Sequence, residues 1–185
     1  SVGAFGIANR IVFIFVMFVM VINQGMQPIA GYNYGAQKLD RMMQVVKLSI
    51  IAATVIMILG WFLAMLAPRQ CVSLFTTDQH LIETTVHGMR RMMLMLPIVG
   101  YQMVITNFFQ CIGKVKISIF LSLSRQLLFL LPALALLPIW FGLDGVWLAQ
   151  PVSDFIASVV TAWIMIVYMH KFKLQHKENQ YGRQE

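Results

Sequence analysis

Residues Leu48–Ala67 read LSIIAATVIMILGWFLAMLA, twenty consecutive positions without a charged side chain. At 1.5 Å per residue such a run makes about 30 Å of helix, the thickness of a bilayer's hydrocarbon core. Working outward, four further runs pass the same test: Val2–Met26, Met92–Ile112, Ile117–Ile139 and Val146–Met169. Met92–Ile112 is also uncharged, and the other three carry one ionisable residue each, Arg10, Arg125 and Asp154. The fold class is therefore all-α, a polytopic membrane helix bundle of five transmembrane helices over residues 1–169, followed by a cytoplasmic basic tail over 170–185. Pro97 and Pro132 fall inside spans, where each frees a backbone carbonyl and is expected to kink its helix.

Composition excludes the soluble alternatives. The 185 residues are 59% hydrophobic and 11% charged, against roughly 45–50% and 25% in soluble domains. The net charge of +7 is not spread as a basic stripe interleaved with stacking aromatics, so no nucleic acid partner is expected. The lipid bilayer is the partner instead, and the cationic residues orient the chain in it. Alternate connections hold Lys38, Arg41, Lys47, Lys114, Lys116, Lys171, Lys173, Lys177 and Arg183 on one side, against Arg69, Arg90 and Arg91 on the other. Positive charge gathers on the cytoplasmic side, which predicts a cytoplasmic C-terminus; the expected location is the plasma (cytoplasmic) membrane, multi-pass. The Pro68–Arg91 connection then faces outward, with a short amphipathic piece around His80–Val86. Cys71 and Cys111 fall on opposite sides and are read as packing residues. His80, His87, His170 and His176 make no metal motif, and no nucleophile elbow, phosphate loop or carboxylate pair marks an enzyme. No metal site and no cofactor are expected.

The chain opens on Ser1 with its first helical pattern already under way, and five spans are an awkward number for a self-contained transporter. Further helices upstream are expected.

The stretch richest in information is Gln24-Gly25-Met26-Gln27-Pro28-Ile29-Ala30-Gly31-Tyr32-Asn33-Tyr34-Gly35-Ala36-Gln37-Lys38. Gly31 and Gly35 alone form a small-xxx-small pattern that could be a packing face. The longer string is more specific. Through Gly25, Gln27, Pro28, Gly31, Tyr32, Asn33, Gly35 and Ala36 the sequence resembles the multidrug and toxic compound extrusion (MATE) family, in its C-terminal half, at the segment linking two successive helices. Gln110-Cys111-Ile112-Gly113-Lys114, Leu123-Ser124-Arg125-Gln126 with Pro132, Phe141-Gly142-Leu143-Asp144-Gly145-Val146-Trp147 and Pro151-Val152-Ser153-Asp154 follow in the family's order. The resemblance implies that the five spans are helices eight to twelve of a twelve-helix fold with two lobes around a central cavity. It also implies cation-coupled antiport by alternating access, exporting drugs or organic cations. The partners so implied are a missing N-terminal lobe and small amphipathic or cationic substrates, with Na+ or H+ as coupling ion in the full-length protein. Members with a C-lobe cation site carry an acidic residue in the helix matching Met92–Ile112, which has none here; coupling is then expected in the other lobe.

Ionisable groups at membrane depth are costly and therefore informative. Arg125 lies nine residues past Lys116 and Asp154 eight past Val146, which places them about 13 Å and 12 Å from opposite interfaces. The remaining gap of about 5 Å is within reach of an ion pair tying the fourth and fifth spans. The alternative makes Asp154 a coupling carboxylate.

The third span carries a polar stripe, Gln102, Thr106 and Gln110 at i, i+4, i+8, with Asn107 and Met103 beside it. In the first span Asn23, Gln24 and Gln27 cluster near Met20. Amides facing lipid are expensive, so these nine residues are the candidates for a substrate cavity, with helix packing as the other use of the same amides. Flexible methionine side chains suit a cavity that accepts varied shapes. Two other functions are weighed: a lipid-linked oligosaccharide flippase of related fold, which calls for more intramembrane Arg or Lys, and a non-transporting membrane scaffold.

Overall fold

The computed structural model describes residues 2–182. Ser1, and the tail end that includes Arg183, lie outside the described residues. All regular structure among the described residues is helical: α1 (Val2–Gly35), α2 (Leu39–Leu66), α3 (Pro68–Ser73), α4 (Gln79–Met92), α5 (Leu96–Cys111), α6 (Val115–Leu123), α7 (Leu131–Phe141) and α8 (Leu143–Tyr181). A 3-10 turn, Met93–Met95, carries α4 into α5, and a wide π-helical turn, Ser124–Leu130, carries α6 into α7. Five of the resulting stretches are long and apolar enough to cross a membrane: α1, α2, α4 through α5, α6 through α7, and α8.

Between lipid tails and apolar side chains there is no hydrophobic contrast, so these helices associate through close packing. Small residues make that packing possible. Ala53 and Ala64 of α2 and Ala4, Ala8 and Ala30 of α1 are fully or almost fully buried. A methyl group on Gly100 of α5 would lie 3.0 Å from the carbonyl oxygen of Ala53, and one on Gly60 of α2 would lie 2.7 Å from the Phe15 ring. Thus α2 is wedged against α5 and α1, while α8 lies along α7, the π turn, α5 and α4. Large apolar side chains such as Phe18, Val21, Ile51, Leu59 and Leu128 are exposed on the outside of the bundle.

The two prolines expected to kink their spans stand where the helix type changes. Pro97 and Pro132 are each the second residue of an α-helical segment, α5 and α7, where the missing N–H releases a carbonyl of the preceding turn. The irregular turns lie just before them. The Pro68–Arg91 connection is more ordered than a short amphipathic piece: α4 runs from an Asp78 cap, which accepts hydrogen bonds from the His80 and Leu81 amides, and buries Ile82, Thr85, Met89 and Met92 on one stripe.

Two other expectations need correction. The glycine-rich string does not form a link, because α1 continues to Gly35. The chain reverses only at Ala36–Lys38, where the Lys38 amide donates to the Asn33 carbonyl (2.8 Å) around Gln37 in the left-handed region, φ 58°. The α5–α6 corner repeats the arrangement, with Lys114 donating to Phe109 (2.9 Å) around Gly113 at φ 82°. Secondly, the Gly31/Gly35 packing face is half realised: Gly31 approaches the Cys111 carbonyl, but nothing lies near Gly35. Residues 170–181, basic and mostly exposed, are helical as a continuation of α8. Phe172 is buried against the edges of Tyr34 and Phe108, and that anchor keeps the helix packed beyond the apolar span.

Candidate functional site

The polar stripe of α5 looks into the protein. A cavity of about 360 Å³, within the usual size of small-molecule sites, is bounded by α1, α5, α6, the π turn and α8. Seven of the nine cavity candidates line it: Met20 and Asn23 from α1, and Gln102, Met103, Thr106, Asn107 and Gln110 from α5. Gln27 is behind the wall, donating its amide to Asn107 Oδ1. Gln24 does not belong, since one residue along a helix is a rotation of about 100° and its side chain is exposed on another face of α1.

The opposite wall is a second stripe, Ser118, Ser122 and Gln126, with the i, i+4, i+8 spacing of the first. Sequence reasoning passed over it because single serines in membrane helices ordinarily bond back to their own carbonyls. The matched spacing of the two stripes was the available signal. Thr161 and Ala157 of α8 close the back. Ser122 and Gln126 are exposed, so the cavity opens on their side.

The lining is only partly satisfied internally. Gln102 Nε2 donates to the Asp154 carbonyl at 2.7 Å and Thr106 Oγ1 to the Gln102 carbonyl at 2.8 Å. Asn23, 3% exposed, has an Oδ1 with no hydrogen-bond donor among the described residues. A buried amide oxygen left bare at the edge of a cavity is a place for water or a ligand donor.

At the inner wall, Arg125 Nε donates to Asp154 Oδ1 at 2.8 Å. The pair is flanked by Ser153 Oγ, which donates at 2.9 Å to the Arg125 carbonyl, a group loosened from the regular ladder by the π turn. Tyr101 Oη adds a bond to the Ser158 carbonyl at 2.8 Å. Together these bonds tie the π turn and α5 to α8. Arg125 and Met103 also line a smaller cavity of about 140 Å³ that contains Asn9, Gln150 and Asp154, so these two side chains stand between the two spaces. Asp154 faces the smaller one. No Asp or Glu lines the larger cavity among the described residues, and Arg125 is its one cationic side chain.

Farther out, Arg91 pairs with Asp144, and His87 stands 3.9 Å from the same carboxylate, clasping α4 to the start of α8. Behind the clasp Trp147 packs on Gly88, where any Cβ would overlap the indole. Cys71 and Cys111 are both free thiols.

The family motif residues divide by role. Asn33 is buried and bonds to the Ile29 carbonyl, and Gly31 passes close to α5. Tyr32, Pro28, Gly25, Gly35 and Ala36 are exposed.

The MatE family profile matches residues 1–134. The multidrug export protein MepA of Staphylococcus aureus (strain MSSA476) is 25% identical over 174 residues, 94% of this chain and 38% of that protein. Its counterpart in Staphylococcus haemolyticus (strain JCSC1435) is 25% identical over 164 residues, 86% of this chain and 36% of that one. The chain therefore spans less than half the length of these relatives. Among solved structures, the MATE multidrug transporter DinF-BH in complex with R6G is 38% identical, with a TM-score of 0.80 over 88% of this chain and 36% of its own. An outward-facing multidrug resistance MATE transporter of the MOP superfamily shares the fold at a TM-score of 0.84 over 93% of this chain and 39% of its own, with 20% identity. With the profile covering well over half of the residues and the helices superposing, this chain belongs to the MATE family of multidrug transporters.

Proposed function

We propose that the chain forms the C-terminal lobe of a drug exporter working by alternating access, and that the polar cavity between α1, α5 and α6 is this lobe's share of the substrate path. The observation that carries the proposal is the pair of facing polar stripes, Gln102/Thr106/Gln110 and Ser118/Ser122/Gln126, around a space at membrane depth with an unpartnered Asn23 Oδ1. A scaffold has no use for such a space, because polar groups in lipid are stabilised by closing on each other. The relatives named as multidrug exporters, and the one bound to R6G, support the same reading. The open edge at Ser122 and Gln126 is where a second lobe would complete the walls. The lobe lies in the plasma membrane with the C-terminal end of α8 cytoplasmic.

Export is driven by inward Na+ or H+, with the coupling carboxylates in the second lobe, because the cavity here has none. Arg125 and Asp154 hold α8 to the π turn rather than carry the ion. A single arginine already engaged by a carboxylate is a poor receptor for a sugar pyrophosphate, which argues against the flippase.

The test is export of R6G from membrane vesicles holding the chain together with its second lobe. Retention of R6G after the ion gradient is collapsed, and a several-fold loss of export in Asn107→Leu and Gln110→Leu, are expected. Export that ignores both the gradient and these substitutions overturns the proposal.

A further inference from the structure

The polar end of α8 makes a feature that the transport reading does not use. One turn past Met169, where the apolar span ends, Phe172 is turned inward and Lys173, His176 and Lys177 come to face α2. Between the two helices lies a groove of about 410 Å³. Its floor is apolar, formed by Leu39 of α2 with Met169 and Phe172 of α8, and its rim carries the two lysines and the histidine.

The position decides the class of occupant. Lys173 and Lys177 follow Met169 by one and two turns, about 6 and 12 Å along the axis, and the headgroup layer begins where the hydrocarbon core stops. Lysine side chains at such a boundary lay their stems on apolar surface and place the ammonium among phosphates. On the neighbouring face Leu174 is half exposed, so apolar surface continues to the level of the groove. The lining also contains Asp40, whose carboxylate lies 3.5 Å from His176 Nε2. Two lysines against one carboxylate leave the groove with a net positive charge. That matches one phosphodiester, while the floor matches the first methylenes of an acyl chain. A free phosphate would use the amines and leave the floor uncovered.

On the other flank of α8 a second basic hollow holds Lys114 and Lys116, with Lys171 Nζ 5.4 Å above the Tyr168 ring. The extension is thus cationic on both sides where it leaves the membrane.

We infer that the groove between the start of α2 and residues 169–177 of α8 is a binding site for an anionic phospholipid, whose headgroup bridges Lys173 and Lys177 and whose glycerol end rests on Leu39 and Phe172. Each lysine near a membrane surface strengthens attachment of an anionic headgroup about fivefold.

The full chain is placed in nanodiscs containing equal phosphatidylglycerol and phosphatidylcholine, released, and examined by native mass spectrometry for retained lipid. Wild type should retain phosphatidylglycerol preferentially, and Lys173→Gln/Lys177→Gln should lose that preference, by about fivefold for each lysine. Arg69→Gln, a charge removed at the far end of the molecule, should retain it. A milder variant, Leu39→Ser, should weaken retention without changing headgroup preference. Equal retention of both lipids by wild type, or undiminished preference in the double lysine variant, overturns the inference. So does displacement of the lipid by millimolar glycerol phosphate, which would assign the amines to a soluble phosphate.

Discussion

Breaking the Arg125–Asp154 pair from either side should give unequal costs, and the inequality follows from where each side chain ends. The Asp154 side chain is 4% exposed, whereas Arg125 is 28% exposed and borders the larger cavity. Arg125→Gln leaves a buried carboxylate without its cation, which costs about 3–5 kcal/mol. Asp154→Asn leaves a guanidinium that can turn toward cavity water, so only the charged hydrogen bond is lost, about 1.5–3 kcal/mol. The double variant removes both charges and keeps the bonds from Ser153 and Gln102, because those are accepted by the backbone carbonyls of Arg125 and Asp154. Its expected cost is about 1 kcal/mol. The non-additivity is then at least about 3 kcal/mol, roughly a hundredfold in the ratio of folded to unfolded chain. Reversible unfolding in mixed micelles, titrated with dodecyl sulfate and followed by tryptophan fluorescence, reads all three variants. Additive costs, or an Asp154→Asn variant harmed more than Arg125→Gln, would refute the reasoning. Unchanged stability of Asp154→Asn combined with lost ion-driven export would make Asp154 the coupling carboxylate instead.

Two further outcomes can be checked in the same way. Gln37 occupies the left-handed position that Gly113 occupies in the matching corner, so Gln37→Gly should stabilise the chain by about 1 kcal/mol and Gly113→Ala destabilise it by a similar amount, read as shifts in the same micelle titration. In a background with Cys71 and Cys111 replaced by serine, a charged maleimide should modify Ser122→Cys and Gln126→Cys about tenfold faster than Leu128→Cys, because a thiolate forms in a wet cavity and not against lipid; equal rates would mean that the cavity is dry.

The spans were legible because length and lack of charge suffice to define them, and Arg125 and Asp154 were legible because depth along a helix is simple arithmetic. Helix rotation is harder to read. Gln24 and Asn23 are adjacent and equally polar, yet one is exposed and the other buried at the cavity, a distinction set by how α1 packs on α2 and α5. The stripe on α5 stood out through its amides, while Ser118 and Ser122, polar by one hydroxyl each, did not. Hydropathy also ended α8 at Met169. Lysine, glutamine and glutamate are good helix formers, so the helix runs on, held by the single inward-facing Phe172.

The wide turn at Ser124–Leu130 has a mechanical consequence. It stores one residue more than a regular helix of the same rise. A deletion there could be absorbed by tightening the turn, leaving every side chain of α7 aimed as before. The same deletion in α6 or α7 would swing all that follows by about 100°, carrying lipid-facing leucines toward α8. The segment that carries Arg125 is therefore the fourth span's slack, where its length can change while its facing does not.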